Sequence, residues 1–395
     1  MKTAGIICEY NPFHRGHQWH IEQTRAMLGG DSAVVCVMSG NFVQRGDFAV
    51  FNKLARAKMA VLCGADLVVE LPVPYALSSA EGFASAGVSI LDNLGVCGYI
   101  SFGSESGDIG ELYEAAEALV SEEAAGQLKA WLGKGLSYAS AQQKAADAVM
   151  GKQSAVLKSP NNMLGIEYLK ALTAAGSPMR PITVKRAGGG YDGGAGLSAS
   201  FIRERLLRGK GLCEGLMPET AAGVFGDEIL AGRGPVSMAN AELAVLSRLR
   251  ALPDFIGVPG VSEGLDRRFK RFVASEPAVG RIMEQVKTKR YAASRIRRVM
   301  LCACLGVTAS DTLAPPPYIR VLSLNRKGMA LLREIKEKGG LPVITKPASA
   351  RKLAEGAARM FELEAAATDF YTLAYPCGEQ RIGGSEWLQT PAVII

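Results

Sequence analysis

Short apolar runs alternate with longer amphipathic stretches through the first half of the chain. Residues 4–8, 33–38, 66–71 and 98–102 are largely apolar and rich in β-branched side chains. Runs of that length predict strands buried on both faces. Residues 181–186 predict a fifth. Between these runs, residues 16–28, 52–63, 79–93 and 161–175 predict helices, with Asn52 as an N-cap. Strand–helix–strand repetition predicts an α/β fold built on a doubly wound parallel sheet. Residues 109–150 predict an alanine-rich helical layer, 188–196 a glycine-rich loop and 200–207 a helix. The first domain is expected to close near residue 210, giving units 1–210 and 211–395. The second reads as mainly helical to residue 306. After Ala314-Pro315-Pro316-Pro317 it predicts a strand at 318–324, a helix at 327–338 and a strand at 341–345.

Composition narrows the class. At 395 residues the chain exceeds one ordinary core, and 48% hydrophobic content supports burial. Apolar runs such as Leu67-Val68-Val69 are far too short to span a bilayer. Lys2 precedes only a brief apolar run and then charged Glu9, which is not a secretory pattern, so the cytoplasm is the expected compartment. The eight cysteines include no C-x-x-C pair, which predicts buried reduced thiols rather than a zinc site or redox motif.

Two residue types are unevenly placed. The net charge is +7, yet residues 267–300 alone hold eleven Lys/Arg against Glu276 and Glu284. The rest of the chain is therefore about neutral. The three histidines, His14, His17 and His20, all lie within seven residues.

These histidines follow the first predicted strand and open the first helix, in Asn11-Pro12-Phe13-His14-Arg15-Gly16-His17. Ligands of open parallel sheets bind at the carboxyl ends of strands. His14 and His17 are three apart, so they share a face of one helical turn. Gly16 would let another backbone or a ligand approach closely. Main-chain N–H groups at a helix start favour an anion. Two imidazoles there could donate to phosphate oxygens that gain charge as a P–O bond breaks. A metal site is the competing reading, with Cys8 and Glu9 as conceivable ligands, but the expectation is no metal.

His14-Arg15-Gly16-His17 resembles the H-x-G-H signature of the nucleotidyltransferase superfamily. Ser198-Ala199-Ser200-Phe201-Ile202-Arg203 resembles its second motif, with Ser200 where threonine is more usual. Together with Glu9-Tyr10-Asn11-Pro12-Phe13, residues 38–46 and Ser159-Pro160-Asn161-Asn162, the chain resembles one family, the bacterial tRNA(Met) cytidine acetate ligases. The likeness runs from Met1 to about residue 210 and continues more thinly through Lys289-Arg290-Tyr291 and 318–322.

The resemblance implies a Rossmann-like nucleotidyltransferase fold. It also implies that ATP and acetate form acetyl-adenylate, whose acetyl group passes to the wobble cytidine of elongator tRNA(Met), giving N4-acetylcytidine. His14, His17 and Arg203 would be catalytic. ATP would be held by Ile7, Cys8, Glu9, Tyr10, Asn11, Pro12, Phe13, His14, Arg15, Gly16, His17, Gln18, Trp19 and His20. Gly103, Asn161 or Asn162, Arg186 and Ser198 would complete that set. Mg²⁺ is expected with the ATP. Gln44 and Arg45 could face the acetate or the incoming base, or serve only to shape their loop. The expected partners are elongator tRNA(Met) and acetate, with neither a membrane nor DNA. The alternative within the superfamily is adenylation of a small phosphorylated metabolite.

The basic segment fits an RNA-backbone surface, with Lys287, Lys289, Arg290, Arg295 and Arg298 as candidate tRNA contacts. Phe269, Phe272 and Tyr291 interleave with its charges.

Overall fold

The computed structural model describes residues 1–186, 199–209, 215–262 and 264–395. The predicted glycine-rich loop at 188–196 and Ser198 lie outside them. The chain opens with β1 (Thr3–Cys8), α1 (Arg15–Leu28) and β2 (Ala33–Ser39), followed by a small antiparallel hairpin, β3 (Phe42–Val43) with β4 (Asp47–Phe48). Then come α2 (Lys53–Leu62), β5 (Leu67–Leu71), α3 (Val73–Ala76), α4 (Ala80–Asn93) and β6 (Tyr99–Ser104). The predicted layer at 109–150 is three helices, α5 (Ile109–Val120), α6 (Glu122–Gly133) and α7 (Tyr138–Met150), because Ser121 and Ser137 cap new starts. Next are α8 (Pro160–Ala175), β7 (Arg180–Lys185) and α9 (Ala199–Leu207). A helical stretch holds α10 (Glu219–Leu230), α11 (Glu242–Ala251), α12 (Leu265–Ser275), α13 (Val279–Val286) and α14 (Ala293–Leu305). The chain ends with β8 (Ile319–Leu324), α15 (Arg326–Lys338), β9 (Val343–Ile344), α16 (Glu355–Thr372) and β10 (Ala392–Val393).

The sheet runs β10-β8-β5-β2-β1-β6-β7, with β9 on β8. From β5 to β7 every pairing is parallel. Successive crossovers lead outward from β1 through β2 to β5 and then return to β6 on the other side of β1. That reversal leaves a crevice beyond the carboxyl ends of β1 and β6, the usual ligand position in such sheets.

Side chains alternate between the faces of the sheet. Ile7, Val35, Val37 and Val69 join one core with α4 and α8, while Ile6, Val34, Cys36 and Val68 join a second with α1, α2 and α10. Residues 236–307 build a third core around Phe269, Ile282 and Val299, which extends to Phe42, Phe48 and Tyr371.

The sheet is mostly parallel, and its one antiparallel pairing among the described residues joins β8 to β5, so β8, β9 and β10 run opposite to the other strands. These three strands, from beyond residue 210, complete the sheet. Val321 and Leu322 are fully buried, one on each face, so the strand needs the layers that the first half provides. Beneath β5, Lys53 Nζ lies 2.7 Å from Glu70 and 2.7 Å from Glu386, with Glu364 at 3.6 Å, and all four side chains are buried. The seven cysteines among the described residues are unpaired, and no described helix is long and apolar enough to cross a membrane.

Candidate functional site

The site grows from the turn between β1 and α1. Tyr10 has φ +44, in the left-handed region that non-glycine residues rarely adopt. Its ring is buried and packs edge-on against Phe13 at 4.8 Å and His17 at 4.9 Å. Asn11 Oδ1 accepts from the Val50 N–H at 2.8 Å, tying the turn to the start of α2. Arg56, fully buried, donates to the carbonyls of Glu9, Ser39, Gly40 and Phe51, so one guanidinium joins the loops after β1 and β2. Sequence reasoning missed Arg56. Its signal was a pair of charges, Arg56 and Lys58, set into the otherwise apolar run Ala55 to Val61.

His14 caps α1. Its Nδ1 accepts from the Gly16 N–H at 3.0 Å, and His17 Nδ1 accepts from the His14 N–H at 3.3 Å. The rings stack with centroids 3.8 Å apart. A neutral imidazole that accepts at Nδ1 carries its proton on Nε2. The reciprocal cap therefore fixes one tautomer in both rings and leaves each an Nε2–H donor. Burial, then Arg186 and Arg203, lowers His14 to about 4. Burial, then His14, Arg186 and His20, holds His17 well below its ordinary value. Both rings are thus neutral donors at neutral pH. His20, also lowered to about 4 by burial, is 3.0 Å from Ser101 Oγ, which also meets Thr24. Ser101 is a second residue that the sequence did not flag.

Gly16 serves a different purpose from the expected one. A Cβ there would lie 2.8 Å from His14 Cε1, so the neighbour that needs the space is the capping ring itself. Two guanidiniums flank the pair. Arg203, on α9, donates to Asn11 O at 2.6 Å and to Ser200 Oγ at 3.0 Å. Arg186, just past β7, lays its stem over Gly103, whose added Cβ would meet Arg186 Cγ at 3.3 Å. Arg186 acts electrostatically on all three imidazoles.

The remaining candidates divide. Ile7, Cys8, Tyr10 and Phe13 belong to the cores around the turn, and Pro12 is buried as well. Arg15 is exposed, and Gln18 and Trp19 are half-buried along α1. Asn162 Oδ1 accepts from the Glu105 and Ser106 N–H groups and its Nδ2 donates to Val156 O, so this amide holds the loop after β6. Asn161 Nδ2 donates to Glu105 Oε1 at 2.6 Å. Glu9, half-buried, accepts from the Gln44 N–H at 2.6 Å, and burial raises its carboxyl. Among the described residues no three His, Cys, Asp or Glu side chains are grouped to hold a metal. A cavity of about 560 Å³ between α2, α10 and the C-terminal segment contains none of these residues.

The basic segment is less open than its sequence suggested. Phe269 and Tyr291 are buried in the third core, so their rings serve packing rather than base stacking. Arg268 donates to Gln285 O and Val286 O, and Arg295 to Gly260 O and Ser262 Oγ. Lys287, Lys289 and Arg290 are exposed, and Arg290 reaches toward Gly135 between α6 and α7. Arg298 is half-buried against the β3–β4 turn, where it donates to Gln44 O at 3.4 Å.

A family model described as HIGH Nucleotidyl Transferase matches residues 1–385. The tRNA(Met) cytidine acetate ligase of Acetivibrio thermocellus is 39% identical over 98% of this chain and 99% of its own. The protein of the same name from Thermosipho africanus is 36% identical with both chains fully covered. The crystal structure of Thermotoga maritima TmcAL bound with alpha-thio ATP superposes with a TM-score of 0.93 at 34% identity, again over the whole of both chains.

Proposed function

Because the chain belongs to the HIGH nucleotidyl transferases and, within them, to the tRNA(Met) cytidine acetate ligase family, we propose that it ligates acetate to the wobble cytidine of elongator tRNA(Met), using ATP and forming N4-acetylcytidine. The observation that carries this reading is the pair of tautomer-locked imidazoles at the sheet's crevice, flanked by Arg186 and Arg203.

In the first step an acetate oxygen attacks the α-phosphorus of ATP, and the bond to the bridging oxygen breaks. Acetyl-adenylate forms and pyrophosphate leaves. Negative charge grows on the α-phosphate and the departing phosphates. The Nε2–H groups of His14 and His17 donate to the α-phosphate oxygens. Being fixed in advance by the cap, they need no reorganisation as charge develops. Arg186 and Arg203 take the β- and γ-phosphates, where a planar fork binds two oxygens at once. The main chain at Gly103 lies against the adenosine, Asn161 is the asparagine able to reach it, and Ser198 remains in the phosphate set on the motif alone. Positioning and charge stabilisation are sufficient, with no protein nucleophile.

In the second step the cytidine amine attacks the acetyl carbon, AMP departs with the carboxyl–phosphate bond, and the amine loses a proton. The amine is weak because its lone pair is delocalised into the ring, and the mixed anhydride compensates by leaving readily. An anticodon base lies in a single-stranded loop and can be turned outward at modest cost. Residues 1–210 with β8 supply the ATP chemistry, and the helices between 211 and 307 supply most of the RNA surface. The described residues offer no dedicated donor set for Mg²⁺, so an ion accompanying ATP would be held by triphosphate oxygens and water.

The test is to incubate the protein with ATP, labelled acetate and unmodified bulk tRNA. Label in elongator tRNA(Met), dependent on ATP, is expected. Pyrophosphate release only with a phosphorylated metabolite, and no label in tRNA, overturns the proposal.

A further inference from the structure

The β3–β4 turn, Gln44-Arg45-Gly46, is held from two directions. On one side the Gln44 N–H donates to Glu9 Oε1 at 2.6 Å, two residues from Asn11, whose carbonyl accepts from Arg203. On the other side the turn meets the first half of α14. Arg297 Nε donates to Arg45 O at 3.0 Å, and Arg298 Nη1 reaches Gln44 O at 3.4 Å. The approach is close enough to demand glycine. Gly46 has φ +75, and a Cβ there would lie 2.5 Å from the backbone nitrogen of Arg298. The basic helix is thus packed backbone to backbone against the turn that borders the phosphate site.

Three guanidiniums meet at this junction, and Arg45 is exposed. Among the described residues none of the three has a carboxylate within ion-pair distance. The facing titratable groups are Glu9 and Arg203, on which Arg45 acts, Asp47, on which Arg297 and Arg203 act, and Cys302 and Arg295, which act on Arg298. Arg297 and Arg298 each spend a donor on a carbonyl of the turn, which orients their planes and leaves other N–H groups available. Net positive charge fixed at the mouth of a site, with forked donors and no carboxylate at ion-pair distance among the described residues, suits phosphodiester oxygens.

We infer that Arg45, Arg297 and Arg298 form a threshold that grips the RNA backbone beside the nucleotide being acetylated. The threshold orients the base toward the acetyl-adenylate and takes no part in making it. This rests on the function proposed above, and it adds Arg45 and Arg297 to the RNA surface while giving Arg298 a place at the active site. Phosphate contacts of this kind fix register without reading sequence.

The experiment compares wild-type protein with Arg45→Ala and Arg297→Ala in two assays: acetate-dependent exchange of pyrophosphate into ATP, and acetate transfer to tRNA across a salt series. For the fold, Arg45 is the cleaner test, because among the described residues its side chain makes no hydrogen bond or ion pair whose loss would disturb it. Exchange should stay within about twofold of wild type in Arg297→Ala, while kcat/KM for tRNA falls roughly tenfold or more in both variants. The slope of log(kcat/KM) against log[salt] should become shallower by about 0.7 for each arginine removed, the value for a single-strand phosphate contact. Lysine at position 45 should restore the slope in part. Unchanged transfer and slope in Arg45→Ala, or equal losses in both assays, would overturn the threshold. Wild-type protein that fails to acetylate tRNA at all would instead remove the proposed function, a separate outcome visible before any variant is made.

Discussion

The locked tautomers of His14 and His17 make a quantitative claim about pH. With His14 lowered to about 4, its charged form is about one molecule in a thousand at pH 7. His17 lies well below its ordinary value for the same leading reason, burial. A histidine whose folded pKa is depressed is neutral both above its unfolded value near 6.5 and throughout the interval down to the folded value. The donors are therefore unchanged from pH 9 to pH 6, and adenylate formation should show no inflection near 6.5. Toward pH 4 the His14 Nδ1 gains a proton and can no longer accept from the backbone, so the cap and the geometry fail together. His17→Ala removes one neutral donor from the developing charge. Donors of that kind are worth about 2.7–4 kcal/mol, or roughly 10²–10³ in rate. The accompanying loss of one capping bond costs about 1 kcal/mol of stability, too little to mimic the rate effect. The assay is acetate-dependent pyrophosphate exchange from pH 5 to 9, on wild type and variant. A wild-type rate that falls tenfold per pH unit above 6.5 would mean the imidazolium is the working form. A variant within threefold of wild type would mean the ring touches no charge that matters.

Three further outcomes follow from the geometry. Gly16→Ala places a Cβ 2.8 Å from the His14 ring, so exchange should drop more than tenfold while the urea midpoint moves little; normal exchange would show that the cap tolerates displacement. Lys53→Met strands Glu70, Glu364 and Glu386 in the core and should cost about 3–5 kcal/mol in chemical denaturation. Burial, then Glu70, already raises Glu364, and a raised carboxyl favours the folded chain below its unfolded value and loses that advantage as pH rises, so the penalty should be larger at pH 8 than at pH 5. A loss under 1 kcal/mol at both pH values would refute it. Replacing Lys289 and Arg290 together by alanine should raise KM for tRNA and flatten its salt dependence while exchange continues; equal loss of both steps would show that the segment supports the ATP site instead.

How much the sequence revealed depended on the range of the interaction. The strand, turn and helix around His14 were legible because every element of that motif lies within the continuous segment 3–28, and the Asn52 cap is local for the same reason. The buried role of Lys53 was not. A lysine beside an N-cap reads as solvated, and nothing near residue 53 announces carboxylates at positions 70, 364 and 386. The strand at 319–324 was visible in its apolar run, but no periodicity names an antiparallel partner some 250 residues earlier. In the basic segment the spacing of Leu265, Phe269 and Val273 already marked an inward helix face, while the abundance of charge drew attention to the other side. Order alone does not separate the two asparagines; the hydrogen bonds occupy both amide atoms of Asn162 but only the Nδ2 of Asn161.

The two halves of the chain, before and after residue 210, meet at places that bear on chemistry. Glu364 and Glu386 complete the environment of Lys53, whose helix also carries Arg56. Burial opposes the charge on Lys53, but the three carboxylates outweigh it and hold the amine protonated. Burial, then Glu70, pushes the Glu364 carboxyl well above its ordinary value, while Lys53 and Arg320 outweigh burial at Glu386 and hold it below its own. From the rigid helix thus anchored, Arg56 holds the carbonyls of Glu9, Ser39 and Gly40. Glu9 in turn holds the Gln44 N–H, and the turn at Gln44 is where α14 docks. The imidazole pair and the basic helix are therefore fixed to one frame, and neither can move far without the other. That coupling suits two successive reactions at one carbonyl carbon. The acetyl group is activated within reach of the imidazoles, and the amine must then arrive at the same atom before water does.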